Sequence, residues 1–197
     1  MKKDIILSGV GGQGILSIAT VIGLSAMEEG LTLKQAEVHG MSQRGGDVQS
    51  NLRLSDEPIY SDLIAKGTAD LIISLEPMEA LRYVSYLGED GWIITSSKNF
   101  INIPNYPDAE AIREELASIK NVVVLDVEQI AKDEVGNLRC SNMVLLGAAV
   151  FKLGLHADSV YKAVKTIFSR KGDAIIEMNI KALEAGMKAA ESQVNLK

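Results

Sequence analysis

Near its N-terminus the chain carries Gly9-Val10-Gly11-Gly12-Gln13-Gly14, a G-x-G-x-x-G spacing. Glycines tolerate positive φ and let another backbone or a phosphate approach closely, and free N–H groups at the start of a following helix attract negative charge. The chemistry this turn suits is therefore phosphate or pyrophosphate binding, with Gly9, Gly11, Gly12, Gln13 and Gly14 as the candidate residues. The competing reading is a packing device that lets a strand and a helix meet at short range with nothing bound. A nicotinamide enzyme would also need an acidic residue some 20 positions further on to hold a ribose hydroxyl. Glu37 stands 23 residues beyond Gly14 and qualifies by spacing.

A second segment, Glu37-Val38-His39-Gly40-Met41-Ser42-Gln43-Arg44-Gly45-Gly46, gathers an imidazole, a hydroxyl, an amide, a guanidinium and three glycines into ten positions. Arg44 offers a planar fork that matches a carboxylate or phosphate bidentately, and Gly45-Gly46 can take backbone angles closed to other residues. Ser42, Arg44, Gly45 and Gly46 are the candidate site residues here. The alternative is a glycine-rich turn in which Arg44 makes one salt bridge.

These loops need elements to hold them. The apolar run over 4–8 predicts a strand, and Ile15, Leu16, Ile18, Ala19, Val21 and Ile22 recur at helical spacing up to a stop at Gly30. A second strand is expected over 32–37, a half-exposed one from Val48 to Leu54, and a paired-back hairpin strand at 59–61 after the turn residues at 55–58. Residues 70–75 read as a buried strand, followed by a helix opening at Glu76-Pro77 and ending near Gly88. Further parallel strands are expected at 92–95 and 122–125 with a helix over 109–119 between them. The last third carries no strand signal; helices are expected over 143–153, 159–168 and 173–190, the first apolar on nearly every face, with His156 at the start of the second. The expectation is one α/β domain spanning 1–197: a three-layer Rossmann-like fold with a mainly parallel sheet, one irregularity near 47–61 and a helical C-terminal third. Both glycine segments then fall at the carboxyl ends of neighbouring strands and share one face.

The composition excludes several functions. A net charge of −6 and a pI near 5.0 disfavour a phosphate backbone as partner, so no nucleic acid is expected. No apolar run is long enough to span a membrane. The lone Cys140 fits a reducing compartment, Asp4 interrupts any signal peptide begun by Lys2 and Lys3, and a cytoplasmic setting is expected. His39, His156 and Cys140 fall in no metal-ligand spacing, and no metal site is expected. Tyr161 and Lys165 match the Tyr-x-x-x-Lys pair of short-chain dehydrogenases, but no serine precedes them at the required distance, and the segment reads as an amphipathic helix. Lys34, Arg53 and Lys66 read as solvated surface charges.

The turn GVGGQG at 9–14, the segment EVHGMSQRGG at 37–46 and the stretch Asn142-Met143-Val144-Leu145-Leu146-Gly147-Ala148 together resemble the gamma-type subunit of 2-oxoacid:ferredoxin oxidoreductases. The likeness runs over essentially the whole chain. His39-Gly40-Met41-Ser42-Gln43 resembles the indolepyruvate branch, where pyruvate-type relatives carry Tyr-Gly-Pro-Glu before Arg-Gly-Gly. The resemblance implies an accessory, non-catalytic subunit of a complex that oxidatively decarboxylates a 2-oxoacid to an acyl-coenzyme A and passes electrons to ferredoxin. Thiamine diphosphate and iron-sulfur clusters are then expected on a large alpha subunit. One cysteine cannot ligate a four-cysteine cluster, and the thiamine motif is missing, since Gly172-Asp173 is followed by Ala174. Coenzyme A is the cofactor whose phosphate the turn would contact. The rival is a free-standing NAD-binding oxidoreductase using Gly9, Gly11, Gly14 and Glu37.

Overall fold

The computed structural model describes residues 1–39 and 45–195. Strands β1 (Lys2–Val10), β2 (Thr32–His39), β3 (Asp47–Ser55), β4 (Ala69–Ser74), β5 (Leu87–Ser96) and β6 (Val122–Leu125) form one six-stranded sheet in the order β2-β3-β1-β4-β5-β6. β1, β4, β5 and β6 run parallel, while β3 runs antiparallel to both β1 and β2. The mainly parallel sheet is thus observed, with β3 as the reversed strand.

Side chains alternate along each strand, so successive residues feed two cores. Ile5, Leu7, Leu71, Ile73, Ile94 and Val123 point to one face, covered by α1 (Ile15–Glu28), α4 (Val127–Val135), α5 (Ser141–Leu153), α6 (Ala157–Phe168) and α7 (Asp173–Val194). Ile6, Ile72, Ile93 and Val122 point to the other, covered by α2 (Pro77–Arg82) and α3 (Ala109–Ser118). These are the three layers the periodicity predicts. α5 is buried on nearly every side because it lies between the sheet and α7.

The structure corrects four local expectations. Residues 59–61 form no strand; Arg53 Nη1 instead donates to the carbonyls of Ser61 and Leu63 at 3.0 and 3.2 Å. Arg53 is no solvated charge, for its guanidinium pairs with Asp4, which is 1% exposed, at 2.7 Å. The helix opened by Pro77 stops at Arg82, and after a 3₁₀ turn at Val84–Tyr86 the chain enters β5, so Gly88 belongs to a strand. A helix absent from the expectation, α4, follows β6; Asp126 caps its start by accepting from Gln129 N at 2.9 Å, and Gly136 closes it in the left-handed conformation. Among the described residues no helix is long and apolar enough to cross a membrane.

Candidate functional site

β1 and β4 are neighbours, yet the helices that follow them, α1 and α2, lie on opposite faces of the sheet. That arrangement opens a crevice at the carboxyl ends of the strands, where open α/β sheets place their ligands. The turn between β1 and α1 lies at this crevice. Gly12 and Gly14 have φ of +102° and +92°, angles that a side chain disfavours. Gly14 serves as the N-cap of α1, which has no side-chain cap and no acidic residue in its first turn, so the partial positive charge of its N-terminus is not locally neutralised.

The two glycine segments meet on one face, as expected, but the strands that carry them are not neighbours, because β3 lies between β1 and β2. Gly11 N donates to Gly46 O at 2.8 Å, and Gly45 N to Gly11 O at 3.4 Å. Asn102, in the loop after β5, donates its side-chain amide to Gly45 O at 2.8 Å and fixes the same junction from the other side. Ser42 and Arg44, with the rest of 40–44, lie outside the described residues.

The roles within the turn differ. Gln13 spends its side chain internally: Oε1 accepts from Val10 N at 2.7 Å and Nε2 donates to Leu75 O at 3.3 Å, tying β1 to the end of β4. A Cβ at Gly9 would fall 2.9 Å from Gln13 Oε1 and 3.1 Å from Ile15 Cδ1, which makes Gly9 a packing residue. Gly12 is the opposite case, since a Cβ there would meet nothing within 4 Å. It opens onto a cleft of about 500 Å³ whose walls include Gly14, Phe100, Glu128, Arg139 and Asn142. Glu128 and Arg139 were not expected from the sequence; they reach the cleft from α4 and from the turn before α5 respectively, and no local signal marks them. Arg139 is positioned by Asn137, whose Oδ1 accepts its backbone N–H at 3.0 Å.

Beside the cleft lies a buried carboxylate pair. Glu76 caps α2 by accepting Glu79 N at 2.8 Å, and its other oxygen accepts from Phe100 N at 3.2 Å and from the Tyr106 hydroxyl. It thereby pins the loop that carries Phe100. Glu79 is fully buried with Arg82 Nε 3.0 Å away, and one of its oxygens has no hydrogen-bond partner among the described residues. Burial, reinforced by Glu76 and Asp47 and opposed by Arg82, raises its carboxyl above the usual range. Burial and the charges of Glu79 and Asp47 push Tyr83 up to about 12, and burial with the Glu76 hydrogen bond raises Tyr106.

The nicotinamide reading fails on topology. It needs the acidic residue on the strand beside β1, but β3 lies between β1 and β2, and Glu37 is on β2 opposite Ser50. The family model for pyruvate ferredoxin/flavodoxin oxidoreductase matches residues 4–189. The chain belongs to this family. It is similar to the indolepyruvate oxidoreductase subunit IorB of Pyrococcus horikoshii, 36% identical over the full length of both chains. It is also similar to the solved gamma subunit of a keto/oxoacid ferredoxin oxidoreductase from Geobacter sulfurreducens, with a TM-score of 0.68 at 27% identity, covering 96% of this chain and 99% of that one. A third likeness, at TM-score 0.75 and 19% identity, is to a 2-oxoglutarate:ferredoxin oxidoreductase from Magnetococcus marinus solved with 2-oxoglutarate, coenzyme A and succinyl-CoA bound; it covers 97% of this chain and 31% of that longer one, and bears on the fold. The resemblance read from the two glycine segments is thus borne out: this is a gamma-type subunit of a 2-oxoacid:ferredoxin oxidoreductase, and none of these likenesses supports a free-standing NAD enzyme.

Proposed function

We propose that the chain acts as one gamma-type domain over 1–197 that completes a cytoplasmic complex acting on indolepyruvate or a related aryl pyruvate. In this reading a large alpha subunit holds thiamine diphosphate and the iron-sulfur clusters, ferredoxin takes the electrons, and this chain performs no chemistry alone. The full-length likeness to the indolepyruvate oxidoreductase subunit carries the proposal. One buried thiol, Cys140, is no ligand set for a cluster, in keeping with clusters held elsewhere.

The residues of the turn are suited to a phosphate of coenzyme A, with Glu128 the one acidic group among the described residues that line the cleft. Gly12 leaves room, α1 presents an uncapped N-terminus, and Arg139 supplies a cation on the same cleft. Bound there, coenzyme A would supply the thiol that accepts the acyl group. Gly9, Gly11, Gln13 and Gly14 shape the turn, while Gly45 and Gly46 brace it. Ser42 and Arg44 are proposed to extend the site toward the cofactor or the partner. Apolar side chains suited to docking line the cleft and adjoin it in sequence: Phe100 and Leu138 on its walls are 45% and 53% exposed, and Ile101 next to Phe100 and Leu16 in the first turn of α1 are 75% and 48% exposed.

Reconstitution tests this. The purified chain should be colourless and inactive, and should restore coenzyme A-dependent indolepyruvate oxidation when mixed with its large subunit. Turnover by the chain alone would end the accessory reading. Gly12→Val and Arg139→Ala should raise the KM for coenzyme A with assembly intact; a normal KM in both makes the turn a packing device. Arg44→Ala should weaken assembly or coenzyme A binding by about 2–5 kcal/mol, and Arg44→Lys by less, with little change in the melt of the free chain. A large fall in that melt with neither effect would make Arg44 a structural residue.

A further inference from the structure

The two edges of the sheet are protected by different means. β2 carries Lys34 and Glu37 along its length, and charges on an edge deter a second strand. β6 reads Val122-Val123-Val124-Leu125 with no charge at all, a composition prone to pair with another strand. Yet the backbone of Val124 is already paired. Val124 N donates to Gln193 Oε1 at 3.1 Å, and Gln193 Nε2 donates to Val124 O at 2.7 Å.

A primary amide sets one acceptor beside one donor, the pair that a residue of an added strand would offer. Gln193 sits in the last turn of α7, a helix fastened to the core by Leu183 and Ala190, each 1% exposed. The amide is therefore delivered to the edge by a rigid element, so that placing it costs side-chain freedom but little further backbone freedom. We propose that Gln193 is an edge guard that closes β6 at Val124 against strand addition by β6 of a second copy of this chain. An uncharged strand meets no electrostatic penalty on pairing with its own copy, and two such edges can close about a two-fold axis.

Amide hydrogen exchange at Val124 and sedimentation velocity over a concentration series test this on the full 197-residue chain. At the dilute end of the series, where the chain is a single copy, Gln193→Ala should speed Val124 exchange about tenfold, the scale set by losing ordinary hydrogen bonds, and it should self-associate as concentration rises. Ser192→Ala, which among the described residues loses a bond from Ser192 Oγ to Lys188 O one turn back, should match wild type in both readouts. Gln193→Glu keeps an acceptor for the Val124 N–H but sets a carboxylate against its carbonyl; it should speed exchange without association, because the charge repels a second copy. Unchanged Val124 exchange in the Ala or the Glu variant would overturn the proposal. So would sedimentation of the Ala variant that matches wild type throughout the series.

Discussion

Asn142, at the start of α5, donates its side-chain amide to the carbonyl of Gly14 at 3.4 Å, and the same nitrogen lies 2.7 Å from where a Cβ on Gly14 would project. The first turn of the fold and the C-terminal helices are thus fitted to one another through a glycine. Gly14→Ala should lose about 1–2 kcal/mol to its φ of +92° and more to displacing Asn142, which is 8% exposed. Gly12→Ala should lose the strain alone, having nothing within 4 Å. Urea unfolding of both variants, and of Gly14→Ala combined with Asn142→Ala, separates the terms; equal costs at Gly12 and Gly14 would show that Asn142 yields freely.

A second pair of glycines governs the helical layer. A Cβ at Gly147 would fall 1.9 Å from Leu183 O, and one at Gly186 would fall 1.9 Å from Val144 O, so α5 and α7 cross backbone against backbone. Backbone cannot rotate away as a side chain can, and either alanine must push the helices apart. Gly147→Ala and Gly186→Ala should each cost about 3 kcal/mol or more in thermal unfolding. Gly30→Ala, strained by its φ of +72° but with open space around it, should cost about 1–2 kcal/mol. Comparable losses at all three would contradict the close crossing.

What the sequence revealed follows how local each signal is. The turn at 9–14 and the strand at 122–125 are legible because glycine spacing and an unbroken β-branched run act over a few residues. Gly88 misleads because the glycines of this region admit a close approach: a Cβ at Gly91 would lie 2.8 Å from Ala69 O and one at Gly88 3.3 Å from it, so they serve strand packing, not helix termination. α4 escapes notice because it fully buries only Val127 and Ala131, with Ile130 and Val135 half-buried among charged and polar neighbours. The insertion of β3 between β1 and β2 leaves no local trace, since alternation looks the same whichever neighbour a strand takes. Arg139 and Asn142 join the cleft only through tertiary folding. The family likeness pointed to the stretch at 142–148, without the reason that Asn142 meets Gly14 and Gly147 meets α7.

At the opposite end of the sheet, Arg53 and Asp4 form a largely buried pair, 17% and 1% exposed. Arg53 also holds the chain after β3 through the carbonyls of Ser61 and Leu63. Arg53→Ala should cost about 3–5 kcal/mol, because a buried carboxylate loses its partner. Lys2 Nζ, 3.1 Å from Asp4 and 62% exposed, is screened by solvent and should not compensate. Arg53→Ala with Asp4→Asn should recover much of the loss. A surface charge of the kind the sequence suggests would give under about 1 kcal/mol, and chemical denaturation distinguishes the two.

The buried Glu79 makes stability depend on pH in a direction opposite to that of most paired carboxylates. Its carboxyl is raised above the ordinary range by burial first, with Glu76 and Asp47 adding to the effect and Arg82 opposing it. The folded protein therefore holds this proton to a higher pH than the unfolded chain, whose glutamates titrate near about 4.3. The stability from this group is fully present below that unfolded value and is lost as pH rises through the folded one. Glu79→Gln keeps the shape and cannot ionise. Thermal melts of wild type and Glu79→Gln from about pH 4 to about pH 8 should nearly agree at the acid end and diverge upward, with the glutamine variant the more stable. Arg82→Ala removes the opposing charge and should widen the divergence, with its onset at the same unfolded-state value, whereas Arg82→Ala in the Glu79→Gln background should leave the pH profile unchanged. If wild type instead gained on Glu79→Gln as pH rose, the ionised carboxylate would be the stable form, with Arg82 rather than burial deciding its state.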